Sequence, residues 1–163
     1  MNLRFRHRRQ RQRGSVAVEC AIILPIFIAI TAALLLFGRV LWHYTVVQKA
    51  AHDAARFLAT ASYQEMKPGY GGSEVPAALV AQSIARQELA DLAPGGGIDV
   101  VIQCQSVSSQ SWGRCNGFEV PKMVMAYVEI SIIDPFFGAY TSVFNFGRPI
   151  YFKAMMATEY VGN

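Results

Sequence analysis

The sequence predicts an α+β fold. It comprises a long N-terminal helix, transmembrane in its first part and amphipathic in its second, then a second helix and a small antiparallel sheet of about three strands. Three observations predict it. From Cys20 to Phe37 there are 18 residues without a charge, within the roughly 17–25 that a helix needs to cross a bilayer. Beyond that run, apolar residues keep recurring at spacings of three and four, the period of a helix. After "PGGG" at 94–97 the period changes to two, that of a strand. Composition agrees: 53% of the 163 residues are hydrophobic and only 16% are charged, rich for a soluble domain but natural for one domain plus an anchor.

Charge orients the anchor. Residues 1–13 hold Arg4, Arg6, Arg8, Arg9, Arg11 and Arg13 and no acid, leaving nine Lys/Arg against eleven Asp/Glu in the rest of the chain. The basicity therefore belongs to the tail. A basic tail alone suits nucleic acid. Abutting an apolar run, these arginines read instead as a topology signal that holds the N-terminus in the cytoplasm. No nucleic-acid partner is expected, the lipid bilayer is, and the chain beyond the anchor would face the periplasm. A cleaved secretory signal would have an apolar region of about 7–15 residues and a small-residue cleavage site. Here the run is longer and continues as "AALLLFGRVLW", so the anchor is expected to be retained. Pro25 removes one helical hydrogen bond, which transmembrane helices tolerate.

The helix is expected from about Val16 to Ala61. In its outer half Val40, Tyr44, Val47, Ala51, Ala54 or Ala55, Leu58 and Ala61 form the apolar face. Arg39, His43, Gln48, Lys49, His52, Asp53 and Arg56 form the polar one. "MKPGYGGSEVP" (66–76) is a breaker-rich loop. A second helix comes next, with Ser73 or Glu74 near its N-cap, Pro76 in its first turn and a stripe of Ala78, Ala81, Ala85, Leu89 and Leu92. Strands are expected in "IDVVIQC", with Ile98, Val100, Ile102 and Cys104 on one face. They are also expected in "KMVMAYVEISII", with Val124, Ala126, Val128, Ile130 and Ile132 on one face, and in "IYFKAMMATEYV" (150–161). The aromatic segment "FFGAYTSVFNFGRP" is irregular. The expected divisions are 1–14, 15–38, 39–62 and 63–163. A sheet this small buries little core alone, so the outer half of the long helix is expected to supply one wall.

Cys20 lies in the anchor and reads as a small apolar residue. Cys104 and Cys115 flank the polar loop "QSVSSQSWGR". If the domain faces an oxidising compartment, they favour a disulfide fastening the loop base where the first two strands meet. Two free thiols are the alternative.

No catalytic set emerges. His43 and His52 are nine residues apart, not the four of a helical metal pair. His52 and Asp53 are adjacent and diverge around the helix. No serine sits in G-x-S-x-G, and "PGGG" precedes a strand rather than a helix. We therefore expect no enzymatic activity, no metal and no cofactor.

The anomaly is Glu19, a carboxylate at the head of the apolar run. Near a bilayer centre such a charge costs about 2.5–3.5 kcal/mol or more and usually marks function. Near the headgroups it would cost little. Its setting is a basic run, then Gly14, then Ser15, Val16, Ala17, Val18 and Glu19. This resembles the class III signal peptide of type IV pilin-like proteins. The match extends through R-x-R-G, A-V-E, Leu24-Pro25, Phe37 to Arg39 as F-G-R, and A-A-x-x-A-A-R from Ala50 to Arg56. Over roughly residues 11–60 the chain is similar to TadE-like proteins, pseudopilins of the tight adherence (Flp, type IVc) pilus; TadF- and TadG-like siblings share the leader style.

The resemblance implies a prepilin cut by a prepilin peptidase between Gly14 and Ser15, which makes Glu19 the fifth residue of the mature chain. It implies that Glu19 pairs with the N-terminal amine of a neighbouring subunit. The implied partners are the peptidase, other pilins or pseudopilins and the pilus assembly platform. The implied location is the bacterial inner membrane, single-pass, or the pilus itself. The alternative is an uncleaved single-pass membrane protein with a periplasmic sensor, scaffold or binding domain.

Overall fold

The computed structural model describes residues 12–68, 75–92, 97–117, 119–132 and 149–162, with backbone alone at 12–15 and Ile132. Helix α1 runs Gln12–Thr60 over 49 residues with Pro25 inside it, and helix α2 runs Pro76–Ala90. Strands β1 (Ile98–Gln105), β2 (Trp112–Gly113), β3 (Met123–Ile132) and β4 (Ile150–Glu159) form one antiparallel sheet of order β2-β1-β3-β4. The fold is α+β, with four strands among the described residues rather than about three. The additional strand pairs only Cys104 with Gly113 and Gln105 with Trp112. Two residues show no period, which is why the polar loop concealed it. Ser73, Glu74, most of "PGGG" and the aromatic segment before Pro149 lie outside the described residues.

The chain divides into two compact units between Val40 and Leu41. In the first, α1 is mostly apolar and is exposed all round from Val16 to Ile30; Val18, Ile22, Phe27 and Leu34 are each over 60% exposed. Each such side chain forgoes roughly 1.5–3 kcal/mol by staying in water, and the run contains a dozen of them. That helix is long and apolar enough to cross a membrane.

The second unit has its own core. Residues 41–60 of α1 contribute Val47, Ala50, Ala51, Ala54, Ala55 and Leu58, all at most 1% exposed. Ala81, Ala85 and Leu89 of α2 are fully buried, as are Val124, Ala126, Val128 and Ile130 of β3. The buried stripe of α1 includes His43, 2% exposed, which corrects its expected place on the polar face. Positions 43, 47, 50, 54 and 58 share one helical face, and the His43 ring stacks on Phe152 at 5.9 Å. Tyr44, expected in the core, is exposed instead.

Helix α2 starts without a side-chain cap: Val75 is its N-cap residue and Pro76 its first residue. Proline has no N–H to satisfy there, and the next donor, Ala77 N–H, bonds the Glu65 carbonyl at 3.0 Å. That carbonyl belongs to a turn just past α1. In it Glu65 accepts from the Ser62 N–H and hydroxyl at 2.8 Å each, a reciprocal Ser-x-x-Glu pairing.

Candidate functional site

The residues singled out in the sequence fall on two places. Gly14, Ser15 and Glu19 lie on the first two turns of α1, with the Glu19 side chain exposed. For Arg13, Gly14 and Ser15 the backbone is helical. Arg4, Arg6, Arg8, Arg9 and Arg11 lie outside the described residues. Glycine costs a helix about 1 kcal/mol relative to alanine, so α1 is locally weakened at Gly14. Cys20 is exposed one residue beyond Glu19.

The second place is the sheet's β2 end. Cys104 and Cys115 form a disulfide with a Cα–Cα distance of 4.9 Å. It closes the β1–β2 hairpin rather than the junction of β1 with β3, because the polar loop turns back as β2 before Cys115. The loop is knit by its own polar groups. Ser106 N–H bonds Ser111 O, Gln110 N–H bonds Ser106 O, and the Ser106 and Ser108 hydroxyls donate to Glu119 at 2.7 and 3.0 Å. Those bonds hold the Glu119 carboxyl below its ordinary range, Ser106 contributing most.

Between the helices, Lys49 Nζ lies 2.9 Å from Glu88 Oε1 and 3.5 Å from Asp53 Oδ2. The hydrogen bond to Glu88 is the main reason Lys49 is raised. Burial pushes Asp53 upward, but bonds with His52, Glu88 and Lys49 outweigh it and hold the carboxyl low. His52 Nδ1 sits 3.3 Å from Asp53 Oδ1, so these neighbours meet rather than diverge: flexible side chains close the gap that their helical positions open. Among the described residues no group of three or more His, Cys, Asp or Glu side chains is arranged to hold a metal.

On the outer face of the sheet, Tyr127 donates to Glu129, and Lys153 Nζ lies 3.1 Å from Glu129 Oε2. The tyrosine bond and then the lysine hold Glu129 low, and Glu129 in turn raises Lys153.

α1 is an apolar, anchor-like helix with a carboxylate at its head. Residues 14–56 match the TadE-like protein family. The TadE-like match begins at Gly14 and ends within the outer half of α1, so α2 and the whole sheet lie beyond it. No curated protein and no solved structure matches the chain. The sequence pattern missed three features that the folded chain brings forward: buried His43, the Ser62–Glu65 turn, and the exposed apolar side chains of β4. Only the Ser-x-x-Glu spacing at 62–65 was a usable signal.

Proposed function

We propose that this chain is a minor pilin or pseudopilin needed for assembly of a Flp-type (tight adherence) pilus. It is made as a prepilin with its arginine tail in the cytoplasm and its second unit in the periplasm. A prepilin peptidase cuts it between Gly14 and Ser15, and it has no enzymatic activity of its own. The observation that carries this reading is the TadE-like match, which starts at the residue where the cut is proposed.

Cleavage creates an α-amine at Ser15 with an ordinary pKa of about 7.7–8.0, hence charged at neutral pH. Two unit charges 4 Å apart attract by about 4 kcal/mol at an effective dielectric of 20. That is comparable to the insertion penalty of a lone carboxylate, about 2.5–3.5 kcal/mol. Glu19 therefore loses its penalty when it meets the amine of a neighbouring subunit, and the pair favours assembly in one register. Its partners in this reading are the peptidase, other pilins or pseudopilins and the assembly platform.

The mass of the mature N-terminus tests the reading. A chain beginning at Ser15 supports it. A chain beginning at Met1 in cells with an active prepilin peptidase refutes it. That second result favours an uncleaved anchor carrying a periplasmic sensor, scaffold or binding domain, a reading that draws on the apolar span and the separate second unit.

A further inference from the structure

We propose that the two sheet edges left open among the described residues are complementary, and that β4 of one copy adds in parallel to β1 of the next, with Lys153 opposite Asp99. This rests on the reading that copies of the chain assemble from one membrane.

Among the described residues both edges are open. β4 is the last strand on its side over ten residues, and on the other side β2 covers only Cys104 and Gln105 of β1. Among the described residues nothing pairs with the outer edge of β4 or with β1 from Ile98 to Gln103. Edge strands are normally blunted because their free backbone groups template further pairing. β4 is instead long and apolar, with Tyr151 58% and Met155 67% exposed. A groove of about 270 Å³ runs along β1, lined by Asp99, Val101, Arg114 and, from α2, Gln82 and Arg86.

Hydrogen-bond parity defines which residues can meet. Tyr160 N–H bonds Lys122 O, so even-numbered residues of β4 face β3, and Tyr151, Lys153, Met155 and Ala157 turn their backbone groups outward. By the same alternation, even-numbered residues of β3 face β4. Odd-numbered residues of β1 therefore bond β3, and Ile98, Val100 and Ile102 turn outward. A parallel pair sets an outward-facing residue of one strand opposite an inward-facing residue of the other. Odd residues of β4 thus stand opposite odd residues of β1, all on the outer face. Placing Lys153 opposite Asp99 also sets Tyr151 opposite Gly97, Met155 opposite Val101 and Ala157 opposite Gln103. A slip of two residues either way puts Tyr151 or Met155 on Asp99, and a slip of one exchanges the faces. Within one copy Asp99 stands opposite Glu129, which stands opposite Lys153. The added strand therefore brings a cation beside two adjacent carboxylates.

Direction excludes the symmetric alternative. His43 stacks on Phe152, and Ala59 O accepts from Val161 N–H, so α1 and β4 run the same way. Pairing β4 with β4 of a second copy through a two-fold axis would be antiparallel and would reverse α1. Copies anchored in one bilayer must run alike. β1 and β4 are parallel to each other, because each is antiparallel to β3. A head-to-tail contact therefore keeps every copy in the same direction and leaves an open end for the next.

The test is disulfide trapping in membranes of cells making the full chain in a Cys20→Ser background, with Lys153→Cys and Asp99→Cys combined. Within one chain these positions are two strand spacings apart, about 9.6 Å, too far for a bond that needs Cα atoms within about 7 Å. The expected result is a series of dimers, trimers and larger species, absent from either single variant. With cysteines left native, Lys153→Glu should lower chemically cross-linked oligomers roughly fivefold, the scale of one cross-strand charge pair, and Lys153→Glu with Asp99→Lys should restore them to within about twofold. Dimers alone, no trapping with the Cys104–Cys115 bridge intact, or no rescue by the charge exchange would each overturn the proposal. The N-terminal mass, measured on the same sample, judges the pilin reading separately: a chain starting at Ser15 without trapping removes the edge contact and leaves the pilin reading in place.

Discussion

At Gly117 a side chain has no room. Its φ is +67°, and a Cβ there would lie 2.3 Å from Met66 O and 2.6 Å from Pro68 Cδ. Gly117→Ala is therefore expected to cost about 1–3 kcal/mol, the range for a strained backbone position, and thermal unfolding of the second unit measures it. Single carboxylates set the acid sensitivity. Glu65 is lowered by its bond from the Ser62 backbone, Glu119 by Ser106, and Glu129 by Tyr127 and Lys153. A depressed folded-state value means stability that is present above the unfolded value, about 4.3, and lost as the pH falls through the folded one. Urea midpoints are expected to fall below about pH 4.3; Glu129→Gln should shrink that fall. A midpoint that rises on acidification would contradict the assignment. At the head of α1, Gly14→Ala should block processing, whereas Glu19→Gln should leave processing intact and impair assembly. Normal pili with Glu19→Gln would end the charge-pairing idea.

At the scale of elements, the β1–β2 hairpin depends on a covalent link. β2 contributes two paired residues, too few to hold a strand by hydrogen bonds alone. The bridge closes a loop of sequence separation 11, for which a stabilisation of about 2–4 kcal/mol is usual. Cys104→Ser should lower the melting temperature of the second unit under oxidising conditions and leave it unchanged relative to the reduced wild type. An equal loss under reducing conditions would mean that Cys104 acts by packing. The same hairpin shows where pattern reading stops. The alternation of β1 and β3 was legible because one face of each is buried, and that of β4 because its even-numbered positions, Met156 excepted, are less exposed than its odd ones. β2 was not, because its residues are exposed on both faces and tertiary pairing alone defines it. His43 was misread for a related cause. Its residue type is polar, but its position on the helix faces Phe152, and packing overrides type.

For the whole molecule, the division between Val40 and Leu41 separates two kinds of stability. The first unit exposes apolar surface on every side of its helix from Val16 to Ile30. The second closes a core from α1, α2 and the sheet without it. A fragment of residues 41–163 is expected to fold in water with its disulfide formed and to melt within about 4 °C of the full chain in detergent, a shift of about 1 kcal/mol for a domain of this size. A fragment that stays unfolded would show that the core depends on the anchor. What the sequence by itself determined is what is written locally: the apolar span, the amphipathic continuation of its helix, three of the four strands among the described residues, and the resemblance to TadE-like proteins over roughly residues 11–60. Each is a local pattern written along the chain. Only the tertiary structure decided that His43 rather than Tyr44 is buried on α1, that His52 meets Asp53, that Cys115 closes on the far side of β1, and that among the described residues both sheet edges stay open. These depend on residues far apart in sequence arriving beside one another, and no local period encodes which ones do.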